Sequence, residues 1–412
     1  YMRRKCTDSL IQWKKNPHRH PLLLQGLRQT GKTWLALDFA EKNYKNTLYL
    51  NLETDKPVAD YLSVSRPPQD ALLFLEAYAE KPLLPSVSLL ILDNIQCVPE
   101  LSTLLATISL DYPQYHILAI HRGLASPELY NKNDFHIISL YPLDFEEFLW
   151  ANAEYALSRE IRRHFSTLTP LGKELHQKAL SQFYLYLVTG GMPLSVLEYR
   201  KEKKLLMVPD IQQKLLELIL GDISSQAPTG MTRHCQNAWL SIPAQLEKSN
   251  RRFQYSLITK GATAKTYEKP LDWLLRSGYA LACRQTSLHL YPTDCGLCAR
   301  VLGVPSYQLL TGSDTPASRA CTETFLAQHF TRNGYTLSYW SSGNQAEVPF
   351  LLEKEGRHIA VDYRLTPHQK NRNLTRFRAE MNTNAEMYLL SVEDFREKEN
   401  YHIVPVYAGF CV

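Results

Sequence analysis

Residues 26–33 read Gly-Leu-Arg-Gln-Thr-Gly-Lys-Thr, and no other stretch constrains the fold of this chain so strongly. The pattern is G-x-x-x-x-G-K-[ST], which carries meaning only between a strand and a helix. Both neighbours are present: Pro21-Leu22-Leu23-Leu24-Gln25 is a short apolar run of buried-strand type, and a helical stretch continues to about Lys42. In that setting the backbone of Gly26, Leu27, Arg28, Gln29, Thr30, Gly31, Lys32 and Thr33 can curl its N–H groups around a phosphate, and the helix N-terminus adds a favourable dipole. Lys32 would reach the outer phosphates and the Thr33 hydroxyl would ligate Mg²⁺. The expectation is a site for ATP or ADP with Mg²⁺.

Further apolar runs follow at 47–52, 88–93, 116–120 and 136–140, with helical segments between them. Such alternation implies crossover connections and a mostly parallel sheet, so residues 1–150 read as an α/β domain. A magnesium partner should end another parallel strand, and Asp93 closes Leu89-Leu90-Ile91-Leu92-Asp93; the plainer reading is a strand-end Asp capping a turn. Asn94 follows it. An amide orients water but cannot take its proton, which points to slow or absent hydrolysis. Glu53 is either a substitute base or a solvated loop carboxylate.

Beyond Asp144 the strand signal gives way to helical periodicity up to about Ser225, broken at Gly190-Gly191-Met192-Pro193. Residues 229–290 read as short helices ending in strand-like pieces. A second α/β unit follows, with a helix at 320–332 and strands at 335–340, 347–352, 358–363, 386–390 and 403–407. A length of 412 residues fits two or three domains. No run is apolar enough for a membrane helix, and the polar Thr7-Asp8-Ser9 stands where a signal peptide would be apolar. Eight scattered cysteines without a secretion signal suggest reduced thiols in a cytoplasm, and the lone Cys295-x-x-Cys298 lacks a second pair at zinc spacing.

The loop at 25–33 together with Tyr141–Phe148, Gly190–Pro193, Tyr291–Leu297, Thr322–Phe325 and Ala346–Leu352 resembles a family of bacterial P-loop ATPases of AAA/STAND type, nearly end to end. In that family the ATPase is followed by a domain of unknown function that looks like a PD-(D/E)xK nuclease fold. The resemblance implies an ATPase core at 1–150, a helical lid at 151–228, a winged-helix module at 229–290 and a restriction-endonuclease-like α/β domain at 291–412. Gly191-Met192-Pro193 is similar to a lid motif that packs on nucleotide, so that Pro193 would touch base or ribose; alternatively Pro193 simply starts a helix.

The chain departs from the family pattern in places. Asp93-Asn94 replaces the usual Asp-Glu, and His121-Arg122 replaces a Gly-Ser phosphate sensor, leaving Arg122 as a phosphate contact or a surface arginine. The positions resembling a nuclease centre are Glu323, Pro349, Asp362 and Arg364. Pro349 offers no side-chain oxygen for a metal, Arg364 replaces the usual Lys, and Glu347 would share the Pro349 face of a strand. Nuclease activity is therefore not expected.

These readings together make nucleotide a conformational switch that sets the lid and winged helix relative to the ATPase core; the alternative is a nucleic-acid-binding protein that uses the winged helix and a pseudo-nuclease domain as a docking platform. Residues 248–276 hold Lys248, Arg251, Arg252, Lys260, Lys265, Lys269 and Arg276 against Glu268 and Asp272, and Thr263–Arg276 would be the groove-entering helix. Residues 357–378 are similarly basic, with Arg357, Arg364, Lys370, Arg372, Arg376 and Arg378 against Asp362. The bland reading of both is a solvated face. The protein partner and the oligomeric state stay open.

Overall fold

The computed structural model describes residues 2–343, 345–367 and 371–412; Lys370 lies outside them. The chain forms two compact units, one of residues 3–141 and 276–278, the other of residues 142–275 and 279–412 with Met2.

The first unit runs α1 (Thr7–Lys15), β1 (Leu22–Gly26), α2 (Lys32–Asn43), β2 (Asn46–Asn51), α3 (Lys56–Leu62), α4 (Pro68–Ala79), β3 (Ser88–Asp93), α5 (Leu101–Asp111), β4 (His116–Arg122) and β5 (His136–Ser139). The strands form one parallel sheet in the order β2-β3-β4-β1-β5. Both faces are covered, which is why the strands read as near-continuous apolar runs rather than as alternation. Leu23, Leu90, Leu92 and Ala119 pack with Val58, Leu72 and Leu105 of α3, α4 and α5. Leu22, Leu24, Leu89, Ile91 and Ile120 pack on the other face with Leu10 and Trp13 of α1 and Leu35 and Phe39 of α2. The loop after β1 therefore opens at the carboxyl ends of the strands, beside those of β3 and β4, where open α/β sheets place ligands.

The second unit begins with α6 (Phe145–Ala151), α7 (Tyr155–Thr167), α8 (Lys173–Thr189), α9 (Pro193–Glu202), α10 (Val208–Gln226), α11 (Thr232–Leu246) and α12 (Ala264–Arg276). A hairpin of β6 (Ala280–Arg284) and β7 (Leu288–Pro292) leads to α13 (Cys295–Leu302), α14 (Ser306–Leu310) and α15 (Pro316–Arg332). Then come β8 (Thr336–Ser342), β9 (Ala346–Lys354), β10 (Arg357–Arg364), α16 (Arg372–Met381), β11 (Glu386–Ser391), β12 (Arg396–Glu397) and β13 (His402–Pro405). These strands make a mixed sheet in the order β12-β13-β11-β10-β9-β8, with α16 as the crossover between the parallel β10 and β11.

Several sequence blocks turn out to be joints. Asp144 caps α6 in a reciprocal capping box with Glu147, and Arg332 of α15 pairs with Glu147 at 2.7 Å. Gly191 admits no side chain, because a Cβ there would lie 1.9 Å from the Leu143 carbonyl oxygen. Its N–H donates to the buried Asp294 carboxylate at 2.7 Å, and Asp294 also accepts from Leu297 N at the start of α13. The strand expected at 403–407 stops at Pro405, whose fixed φ leads into a 3₁₀ turn over Val406–Cys411. Cys295 and Cys298 lie buried on α13, and among the described residues no three His, Cys, Asp or Glu side chains gather as a metal site.

Candidate nucleotide site at the ends of the parallel strands

The loop of residues 26–33 closes around its own lysine. Gly31 takes φ +92° as it enters α2, a conformation that glycine adopts without cost. Lys32 is 8 % exposed, and its Nζ donates to Gly26 O at 2.7 Å and Leu27 O at 2.6 Å. The Thr30 hydroxyl donates to Leu27 O at 2.9 Å. Arg4 braces the loop from outside, donating to Thr30 O at 2.9 Å and Tyr141 O at 2.6 Å; nothing in its basic N-terminal sequence distinguished it from a solvated residue.

The magnesium pair expected from the sequence is brought together. Thr33 Oγ1 donates to Asp93 Oδ2 at 2.7 Å, from the first turn of α2 to the end of β3. Tyr49 on the neighbouring β2 donates to the same oxygen at 2.9 Å. Burial, then the Asp93 charge, pushes the Tyr49 phenol up, so it remains a donor at neutral pH. A hydroxyl and a buried carboxylate in contact form a hard-oxygen donor set, which suits an ion that keeps several waters and takes the rest from phosphates. These residues fit Mg²⁺.

Beyond Asp93 the strand ends are tied by amides and by an ion pair. Asn94 has φ +59°, Asn being one of the few residues that visit the left-handed region readily. Its Nδ2 donates to Asn51 Oδ1 at 2.9 Å, and its Oδ1 accepts from Gln96 Nε2 at 3.2 Å and Arg122 Nη2 at 3.1 Å. Arg122 also pairs with Glu53 at 2.6 Å, with its own side chain 8 % exposed. Arg122 is therefore not a surface arginine, and Glu53 is not a merely solvated loop carboxylate. The hydrogen bond from Arg122 holds the Glu53 carboxyl below its usual range against partial burial, helped by the charges of Arg28 and Lys56. Beside it His121 is pushed down to about 4, chiefly by burial, so its ring is neutral at physiological pH.

Pro193 belongs to the other unit, where it occupies the first turn of α9, as the helix-start reading expected. The nuclease-like positions of that unit also gather. Glu347, Pro349, Asp362 and Arg364 line one cavity of about 420 Å³ with Arg251 and Arg319, and Glu323 lies buried behind it. A metal does not fit there. Asp362 accepts from Tyr363 N, Arg364, Asn371 and Asn373 at 2.7–3.1 Å, and Glu323 accepts from Arg251, Tyr363 and Tyr291.

Comparisons with known proteins agree with the first unit. A family model described as AAA domain matches residues 18–149, and one described as Domain of unknown function (DUF8612) matches residues 180–308. No curated protein matches the chain. Among solved structures it is similar to the Walker-type ATPase of Pyrococcus abyssi, at 14 % identity and TM-score 0.45 over 73 % of this chain and 96 % of that one. It is also similar to the Aeropyrum pernix ORC1 protein in complex with DNA, at 14 % identity and TM-score 0.31 over 75 % and 94 %. A third is Caenorhabditis elegans PCH-2, at 14 % and 0.30 over 53 % and 68 %. Among the described residues no helix is long and apolar enough to cross a membrane. With its loop, its strand-end Asp and its parallel sheet in place, the segment 18–149 is a P-loop ATPase-like domain of AAA type.

Proposed function

We propose that the chain is a nucleotide-dependent switch that binds ATP or ADP with Mg²⁺ and hydrolyses ATP slowly or not at all. The observation that carries this reading is the Thr33–Asp93 contact at 2.7 Å beside the buried Lys32, followed at once by an asparagine. Thr33 and Asp93 hold the metal, which when bound screens the phosphate charge. Lys32 would leave the carbonyls of Gly26 and Leu27 for the phosphates, and the N–H groups of the loop would donate to the same anion. Asn94 can orient a water but has no lone pair basic enough to deprotonate it. Residues 151–228 act as a lid and 229–290 as a winged-helix module whose positions nucleotide biases, provided the two lid states differ in nucleotide affinity.

Calorimetric titration of ATP and ADP with Mg²⁺, with phosphate release followed on the same sample, tests this. Binding that Lys32→Ala removes, with turnover near background, is expected. Fast turnover that Lys32→Ala abolishes would show a working ATPase instead.

A second reading is a nucleic-acid-binding protein. It is favoured by the exposed Arg252, Lys260, Lys265 and Lys269 around and along α12. Arg251, by contrast, is committed to carboxylates of its own chain.

A further inference from the structure

The segment between α11 and α12 turns sharply at Arg251, whose φ of +49° is a left-handed conformation that a long side chain rarely adopts. Such an outlier persists only where its surroundings hold it in place. Here the hold is visible. The guanidinium lies between two carboxylates of the same unit, with Nε 2.6 Å from Glu323 Oε1 on α15 and Nη1 against Glu347 Oε1 on β9. Tyr363 donates to the same Glu323 oxygen at 2.7 Å and Tyr291 to the other at 3.2 Å, so the 1 % exposed Glu323 side chain is held by one cation and two phenols.

Glu323 and Asp362 stand at positions that resemble a PD-(D/E)xK centre, where such a centre would turn carboxylates toward a divalent ion, and Glu347 stands two residues before Pro349 on β9 as the third acidic group of the pocket. In this chain Glu323 and Glu347 face a guanidinium, while Asp362 is occupied by Arg364 and two asparagines. We infer that Arg251 is the resident cation of this pocket, standing in the place of a divalent ion and keeping such ions out. The choice of arginine suits the role. Its planar fork reaches two carboxylates at once, and it stays charged at every physiological pH. Burial pushes both Glu323 and Glu347 toward the neutral acid, and the Arg251 charge works against that. The ion pairs also fasten the chain at Arg251 to α15 and β9. This inference is independent of whether the first unit binds nucleotide.

The test counts Mn²⁺ bound by the full chain, by electron paramagnetic resonance of the free ion. Every sample carries Asp93→Asn so that the loop site does not contribute. The chain with Arg251 intact is expected to show no Mn²⁺ site that depends on Glu347. Arg251→Ala is expected to gain one, with a dissociation constant of roughly 10⁻⁴–10⁻³ M as for modest carboxylate sites, and to lose it again when Glu347→Gln is added. Arg251→Lys, which keeps a cation between the carboxylates, is expected to exclude Mn²⁺ and serves if the alanine variant does not fold. Mn²⁺ bound to the chain with Arg251 intact and abolished by Glu347→Gln would overturn the inference. So would a folded Arg251→Ala chain that gains no site, or an Arg251→Lys chain that binds Mn²⁺ through Glu347.

Discussion

Arg122 Nη2 stands 2.6 Å from Glu53 Oε2, joining the end of β4 to the loop after β2 beside the phosphate-binding loop. A carboxylate already bound to a guanidinium has a lowered proton affinity and its lone pairs engaged, which makes it a poor base for activating water. Phosphate release by Glu53→Gln is therefore expected to stay within about threefold of the parent, whereas removal of a positioned base lowers rate by about 10²–10⁴. A loss in that larger range would identify Glu53 as the missing base. Because the Glu53 side chain is 45 % exposed, the pair itself should add only about 0–1 kcal/mol to stability.

Asn94 couples chemistry to backbone conformation. At φ +59° a glutamate would supply the absent carboxylate but would meet a left-handed cost of roughly 1–2 kcal/mol. Its replacement would also disturb the contacts to Asn51, Gln96 and Arg122. Asn94→Glu is thus expected to raise phosphate release while lowering the melting temperature by a few degrees, about 2–4 °C per kcal/mol for a unit of this size. Melting and turnover measured on one preparation separate the two effects. Unchanged turnover in a folded variant would show that more than the base is missing.

The same residues show what could be read in advance. The loop at 26–33, its flanking strand and Asp93 at the end of β3 were legible because each is a local pattern with fixed spacing. The ties that decide the behaviour of the site were not. Arg122 meets Glu53 from 69 positions away, and Arg251 meets Glu347 from 96, distances over which a single sequence holds no pairing signal. α13 escaped because Cys295–Leu302 is only 8 residues long, too short for helical periodicity to stand out. α16 did leave a trace, Asn371 as N-cap followed by Leu374 and Phe377 on one face, masked by its arginines.

Asp294 yields a pH prediction. It is fully buried and its carboxyl is pushed up to about 6, mainly by desolvation, with the N–H groups of Gly191 and Leu297 opposing. The unfolded chain releases this proton near pH 4, so between about 4 and 6 the native state holds more protons and stability falls as pH rises. A carboxyl near 6 in the folded chain against about 4 in the unfolded one corresponds to roughly 3 kcal/mol, levelling off above about pH 7. Asp294→Asn is expected to lose stability overall, since an amide cannot accept from both N–H groups. Its denaturation midpoint should nonetheless change less between pH 4.5 and 7 than that of the parent chain. A midpoint that moves equally between the two pH values in the parent and in Asp294→Asn would mean that Asp294 stays ionised throughout.

Salt dependence distinguishes the two functional readings. Lys265 and Lys269 lie four residues apart on α12 and are exposed, so both can meet the same phosphate backbone. If the chain binds duplex DNA through this surface, log affinity falls linearly with log salt, and each neutralised phosphate contact contributes about 0.9 to the slope. The double change Lys265→Ala with Lys269→Ala should then flatten the slope by roughly 1.8 and weaken binding evenly across sequences. Glu353→Gln, an exposed carboxylate on β9 outside the basic segment 248–276, serves as a folded control expected to leave the slope unchanged. DNA affinity with an unaltered slope in the double variant would move the contact elsewhere on the chain. Absence of binding at low salt would leave the nucleotide switch as the reading that the site geometry supports.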